Sequence, residues 1–147
     1  MIYLDNSAST KPRKEVINVL VQTMEENYAN PDAIHDFSHK TLLKIKNAKK
    51  IISDYLKVEA DRIYFTAGGG DGNNLVLQGI INANSRTKKH LITTKIEHPS
   101  VYEVFKHYEN LGFEVDYLNV DKDGFIDLEE LENTIREDTV IVSVGAV

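Results

Sequence analysis

The chain has 147 residues, 41% hydrophobic and 27% charged, which suits one soluble globular domain with its own core. The absence of cysteine excludes disulfides, a zinc–thiolate site and a thiol nucleophile within this sequence, and a net charge of -6 argues against nucleic acid or an anionic membrane as partner. No apolar run is long enough to span a bilayer and "MIYLDNSAST" has no signal-peptide pattern, so a cytoplasmic location is expected.

Apolar residues recur at helical spacing from about Glu15 to Met24, through Val16, Val19 and Leu20, which predicts a first helix. "YANPDAIHD" interrupts it, because Pro31 biases Asn30 away from helical backbone. A second helix is expected over about Phe37–Leu56, with Leu42, Ile45, Ala48, Ile52 and Tyr55 as one stripe. Lys40, Lys44, Lys46, Lys49 and Lys50 mostly fall off that stripe and read as a solvated face. In "HDFSH", His35 and His39 stand one helical turn apart, as metal-ligating histidines do in zinc proteases. That motif also needs a glutamate base, a helix already under way and a third ligand. Here the acid is Asp36 and the segment lies at a helix start, where Asp and Ser commonly cap. Zinc is not expected.

The segment "RIYFTAGGGDGNNLVLQGIINA", Arg62 to Ala83, reads differently. A β-rich run, Ile63–Thr66, breaks into a glycine loop, Ala67 to Gly72, and an apolar-periodic helix follows. Strand, glycine loop and helix start present backbone N–H groups to a phosphate. The loop is neither a Walker A sequence, since no Lys-Ser or Lys-Thr follows, nor a Rossmann fingerprint, since the third glycine is missing. "HLITTKI" reads as the next strand and Ser100–Leu111 as a helix, with His98 of "KIEHPSVY" between them. In a parallel sheet that places His98 at the carboxyl-edge crevice where ligands collect. The alternative is a loop histidine beside a helix capped by Ser100, and position alone leaves both open. Two loop sites on one edge favour a phosphate ligand.

"FEVDYLNV" predicts a strand, Asp121–Gly124 a tight turn, Leu128–Ile135 a short acidic helix, and "TVIVSVGAV" a last strand. "DKDGFIDLEELE" starts like a calcium loop and has Glu132 at the twelfth position. Phe125 and Ile126 fill the fifth and sixth positions and supply neither the ligand nor the turn glycine. Alternating strand and helix signals predict an α/β fold with a mainly parallel sheet and flanking helices, without an internal boundary. The sequence stops at Val147 inside a near-continuous apolar run of the kind found in covered parallel sheets, so a truncated domain is expected.

Together the segments resemble the cysteine desulfurases of the class V, fold-type I, pyridoxal-phosphate enzymes. "YLDNSAST" resembles the family's Y-L-D-N-S-A-T-T, and "NPDAIHDFS" its N-P-S-S-x-H-x-x-G. "IYFTAGGGDGNNLVLQG" is similar to I-V-F-T-S-G-G-T-E-G-D-N-L-A-I-K-G, and "TTKIEHPSV" to T-S-x-I-E-H-x-A-V. "GFEVDYLNVDKDGFIDLEEL" follows the family pattern as well, so the match runs in order along the whole chain. The resemblance implies the N-terminal part of the large domain of a pyridoxal-phosphate transferase. It assigns cofactor binding to Gly69, Gly70 and Asp71, ring stacking and proton transfer to His98, and the substrate-loop region to Asn30 and His35. It also implies a homodimer acting on cysteine, with a sulfur-acceptor protein as a further partner in iron–sulfur or thio-cofactor assembly. Gly70 stands where the family has its phosphate-binding threonine. Asp71 replaces Glu, Asn73 replaces Asp, Asp32-Ala33 replace Ser-Ser, and Ser38 replaces the glycine after His35.

By this resemblance the Schiff-base lysine, the aspartate at the pyridine nitrogen and the thiol nucleophile all lie past Val147. The chain alone is therefore expected to be inactive. Two other readings remain at this point: a truncated non-catalytic relative serving as a binding or interaction protein, and another class V aminotransferase or a selenocysteine lyase.

Overall fold

The computed structural model describes residues 2–146. The chain forms two compact units, one up to Tyr64 and one from Phe65 onward.

The first unit contains helices α1 (Lys14–Glu26) and α2 (Asp36–Leu56) and a short 3-10 turn, Ala60–Arg62. Both helices match the apolar periodicity that predicts them, but neither buries its apolar stripe. α1 has no buried residue, and Val16, Val19, Leu20 and Met24 are all exposed. Along the expected α2 stripe, Leu42 and Ile45 are half-buried, whereas Ala48, Ile52 and Tyr55 are exposed. The buried residues of α2 are instead Ser38, Thr41 and Ser53. Local contacts account for this. The Thr41 hydroxyl donates to the Asn27 carbonyl at 3.4 Å, and Tyr28 meets Phe37 edge-on with ring centroids 5.2 Å apart. Of the α2 lysines, Lys50 pairs with Asp54 at 2.9 Å and the Lys49 ammonium lies 5.5 Å from the Tyr64 ring centroid. α2 stops at Lys57, whose φ of 56° is left-handed, and Val58 N–H closes the end onto the Ser53 carbonyl at 3.0 Å.

The strand expected at Ile63–Thr66 is not formed. These residues pair with no strand among the described residues, and Tyr64 and Phe65 are exposed. β-propensity alone does not make a strand, because the backbone also needs a neighbouring strand to pair with.

The second unit alternates α3 (Gly69–Asn84), β1 (His90–Thr94), α4 (Pro99–Asn110), β2 (Glu114–Leu118), α5 (Leu128–Thr134) and β3 (Thr139–Val142). The three strands form a sheet in the order β2-β1-β3, parallel throughout, with Leu91 opposite both Val115 and Ile141. This is the expected α/β architecture. β1 is buried along its whole length because it has a strand on each side. Leu91 joins Leu77 and Ile81 of α3, Val104, Phe105 and Tyr108 of α4, and Phe113 in one core.

Side chains alternate between the faces of the sheet. On the face opposite Leu91, the buried His90 ring joins all three strands. Its Nε2 lies 2.9 Å from Asp116 Oδ2 and its Nδ1 lies 2.8 Å from Thr139 Oγ1. After β2 the chain turns at Asp121–Gly124. There Asp121 Oδ1 accepts from the Asp123 and Phe125 amides at 2.9 Å each, and Gly124 takes a φ of 87°. Among the described residues no helix is long and apolar enough to cross a membrane.

Candidate cofactor site

The carboxyl end of β1 leads through Lys95–Glu97 into α4, so the start of that helix is fixed by the central strand. α4 begins one residue before the expected Ser100, because Pro99 supplies a helical φ without needing an amide partner. His98, not Ser100, is the cap, and its Nδ1 accepts the Ser100 amide at 3.1 Å. His98 itself is exposed.

The glycine loop enters α3 beside it. A Cβ placed on Gly70 would lie 3.7 Å from the Ser100 Cβ, so the first turns of α3 and α4 are in contact. Asn73, one turn into α3, donates from Nδ2 to Ser100 Oγ at 2.9 Å, and that oxygen lies 2.8 Å from His98 Nδ1. Glycine loop and histidine therefore adjoin.

The loop is shaped by its own polar groups. Asp71 Oδ2 accepts the Ala67 amide at 3.0 Å, the Thr66 hydroxyl donates to the Gly68 carbonyl at 3.1 Å, and the Gly72 amide closes the first turn onto Gly68 at 3.0 Å. The amides of Gly69, Gly70 and Asp71 belong to the first turn, which has no intrahelical acceptors, and no acceptor meets them among the described residues. A Cβ added at Gly68 or Gly69 would meet nothing within 4 Å. Unpaired amides at the positive end of a helix dipole, with open space beside Gly68 and Gly69, suit a phosphate. Gly70 provides no hydroxyl.

Glu97 immediately precedes His98. Its Oε1 accepts the Thr94 hydroxyl at 3.0 Å and the Gly145 amide at 2.6 Å, which joins the loop after β1 to the segment after β3. A groove of about 270 Å³ runs from Ser100 between α3 and α4, lined by Asn74, Gln78, Glu103, Val104 and His107. It includes neither the glycine loop nor His98.

Gly69, Gly70, Asp71 and His98 thus share one edge of the second unit. Asn30 and His35 belong to the first unit. Asn30 Oδ1 accepts the Asp32 amide at 3.0 Å, and His35 caps α2 by accepting the Ser38 amide at 3.2 Å on Nδ1. Asn73, Glu97 and Ser100 join the neighbouring elements by hydrogen bonds and are not distinguished by residue type alone. Their signal is distance in the fold: Asn73 and Ser100 are 27 residues apart, and Glu97 and Gly145 are 48 apart.

Comparison with known proteins identifies the family. Residues 2–147 match the family described as aminotransferase class-V. The chain belongs to the class-V aminotransferase family. Within it, the cysteine desulfurase IscS of Methanosarcina thermophila is 42% identical over 143 residues, a match covering 97% of this chain and 35% of that protein. A solved structure named NifS-like protein superposes with a TM-score of 0.93 at 33% identity, covering 97% of this chain and 39% of the other. A second, described as SspA in complex with cysteine, gives a TM-score of 0.90 at 35% identity, covering 97% and 41%. The similarity to these class-V proteins falls on their N-terminal portion, and the chain spans about a third of the length of the curated relatives it matches.

Proposed function

We propose that the protein carrying this chain is a pyridoxal-phosphate-dependent cysteine desulfurase, which converts cysteine to alanine and passes the sulfur to an enzyme thiol. The observation that carries this reading is the pairing, on one sheet edge, of an open glycine helix start with a hydrogen-bonded histidine. It occurs in a chain similar to cysteine desulfurases over 97% of its length.

Bound pyridoxal phosphate supplies an electron sink for chemistry at the α-carbon of an amino acid. The chain's own residues supply its seat. The Gly69, Gly70 and Asp71 amides would hold the phosphate, and Gly69, which carries no Cβ, would let it approach the backbone. Asp71 contributes through its amide and by holding the loop, since its carboxylate is engaged by Ala67. His98 would lie over the ring and hold its mobile proton on Nε2, because its Nδ1 is occupied by Ser100. The substrate-loop role of Asn30 and His35 rests on the sequence resemblance. With no cysteine in these 147 residues, the thiol lies outside them, and the isolated chain releases no alanine. A cytoplasmic homodimer and a sulfur-acceptor protein belong to the same proposal.

The test is alanine release from cysteine by the native protein that carries this chain, together with its visible cofactor band. Cofactor and alanine together support the reading. Amino transfer to an oxo-acid, or a strict preference for selenocysteine, moves it to a neighbouring class V reaction. Neither cofactor nor turnover overturns it in favour of a binding protein.

A further inference from the structure

Ser100 sits where the two helix starts touch, and its hydroxyl has a defined direction. Asn73 Nδ2 can only donate, so Ser100 Oγ accepts that bond at 2.9 Å. The Ser100 proton is then free to point at His98 Nδ1, 2.8 Å away. Nδ1 also accepts the Ser100 amide at 3.1 Å, so it carries a lone pair and the ring proton resides on Nε2. The chain Asn73→Ser100→His98 therefore links α3 to the imidazole through side chains half-buried at the helix contact. Although Ser100 lies against Gly70, its hydroxyl does not replace the one missing there, because its single proton is directed at His98 Nδ1.

We propose that Ser100, anchored by Asn73, is a positioning residue that fixes His98 as the Nε2–H tautomer and ties its ring orientation to the phosphate-facing helix. The inference rests on the cofactor-site reading above for its catalytic consequence, but the tautomer claim stands without it. Ser100→Ala keeps the amide, so the helix cap remains available, but without the shorter hydroxyl bond it alone biases the ring and both tautomers become populated. The variant therefore folds while losing the side-chain link.

The experiment compares wild type, Ser100→Ala, Ser100→Thr and Asn73→Ala in the native protein. In the cofactor-free form, long-range proton–nitrogen spectra of labelled histidine read the His98 tautomer. The expected result is a single Nε2–H form in wild type and Ser100→Thr, and a mixture in Ser100→Ala and Asn73→Ala. In the loaded protein, Ser100→Ala is expected to lower kcat about 10-fold with KM within twofold. The visible circular dichroism of the cofactor also weakens at equal occupancy, and Ser100→Thr restores both. A single unchanged tautomer in Ser100→Ala overturns the proposal, as does a kcat loss explained wholly by lost cofactor. A wild type that holds no cofactor overturns the desulfurase reading instead and leaves the tautomer result to decide this one.

Discussion

Replacing Gly70 by threonine restores a hydroxyl where the desulfurase pattern has one, and the structure sets what that should do. A Cβ at Gly70 meets only the Ser100 Cβ, at 3.7 Å, which is ordinary van der Waals contact, so a β-carbon is accepted without moving either helix. A hydrogen bond to a charged group is worth about 1.5–3 kcal/mol. At about 1.4 kcal/mol per tenfold, pyridoxal phosphate should bind roughly 10- to 150-fold more tightly. Losing glycine's freedom in the unfolded chain adds about 0.4–1 kcal/mol of stability to the cofactor-free protein. Titration of the apoprotein with pyridoxal phosphate, followed by its absorbance, measures the first effect. Gly70→Val separates the two, since it has threonine's shape but no hydroxyl and should gain stability without affinity. Equal affinity in Gly70→Thr and wild type would refute the placement of the phosphate at this helix start. Equal gains in both variants would show that rigidity, not a hydrogen bond, is responsible.

Other consequences follow from the packing and the charges. Phe105 is fully buried between α4 and the sheet, so Phe105→Ala should cost about 3–5 kcal/mol, seen as a lowered urea midpoint at unchanged slope. Glu97→Ala leaves the buried Thr94 hydroxyl without its acceptor and should cost about 1–3 kcal/mol, while the exposed Gly145 amide can turn to water, with Glu97→Gln recovering much of the loss. Burial, and then Glu109, hold the Tyr117 phenol above its ordinary value of 10.0. The unfolded chain ionises first, so this contribution is complete below pH 10 and is lost as pH rises through the folded value. Tyr117→Phe should flatten the alkaline fall in stability, and an unchanged slope contradicts the assignment.

Much of the second unit was legible because its signals are local. "SVYEVFKHYENL" carries the periodicity of α4, and Asp121 with Gly124 dictates a turn whose bonds both close on Asp121 Oδ1. "HLITTKI" is legible as a strand, while its central, fully buried place is set by the neighbours that fold onto it. What was not legible depends on partners. The stripe of α2 locates an apolar face but not what lies against it, and Ile63–Thr66 has strand-forming residues without a ladder. Both histidine caps were hidden for a different reason. Imidazole is an uncommon cap, yet Nδ1 of His35 and of His98 does what a Ser or Asp oxygen ordinarily does. The glycine loop announced an anion site from the sequence, while Asn73 and Ser100 emerged only when folding brought the two helix starts together.

The central claim is that this chain supplies the ring-facing histidine and the phosphate-facing helix of a cysteine desulfurase. Its most direct test is the rate of alanine release from cysteine by the native protein, wild type against His98→Ala, at equal bound pyridoxal phosphate. The account predicts turnover in the wild type and at least a 100-fold loss in the variant, within the range expected for a positioned proton-transfer group. Equal rates at equal occupancy, or no alanine from the wild type, would contradict it.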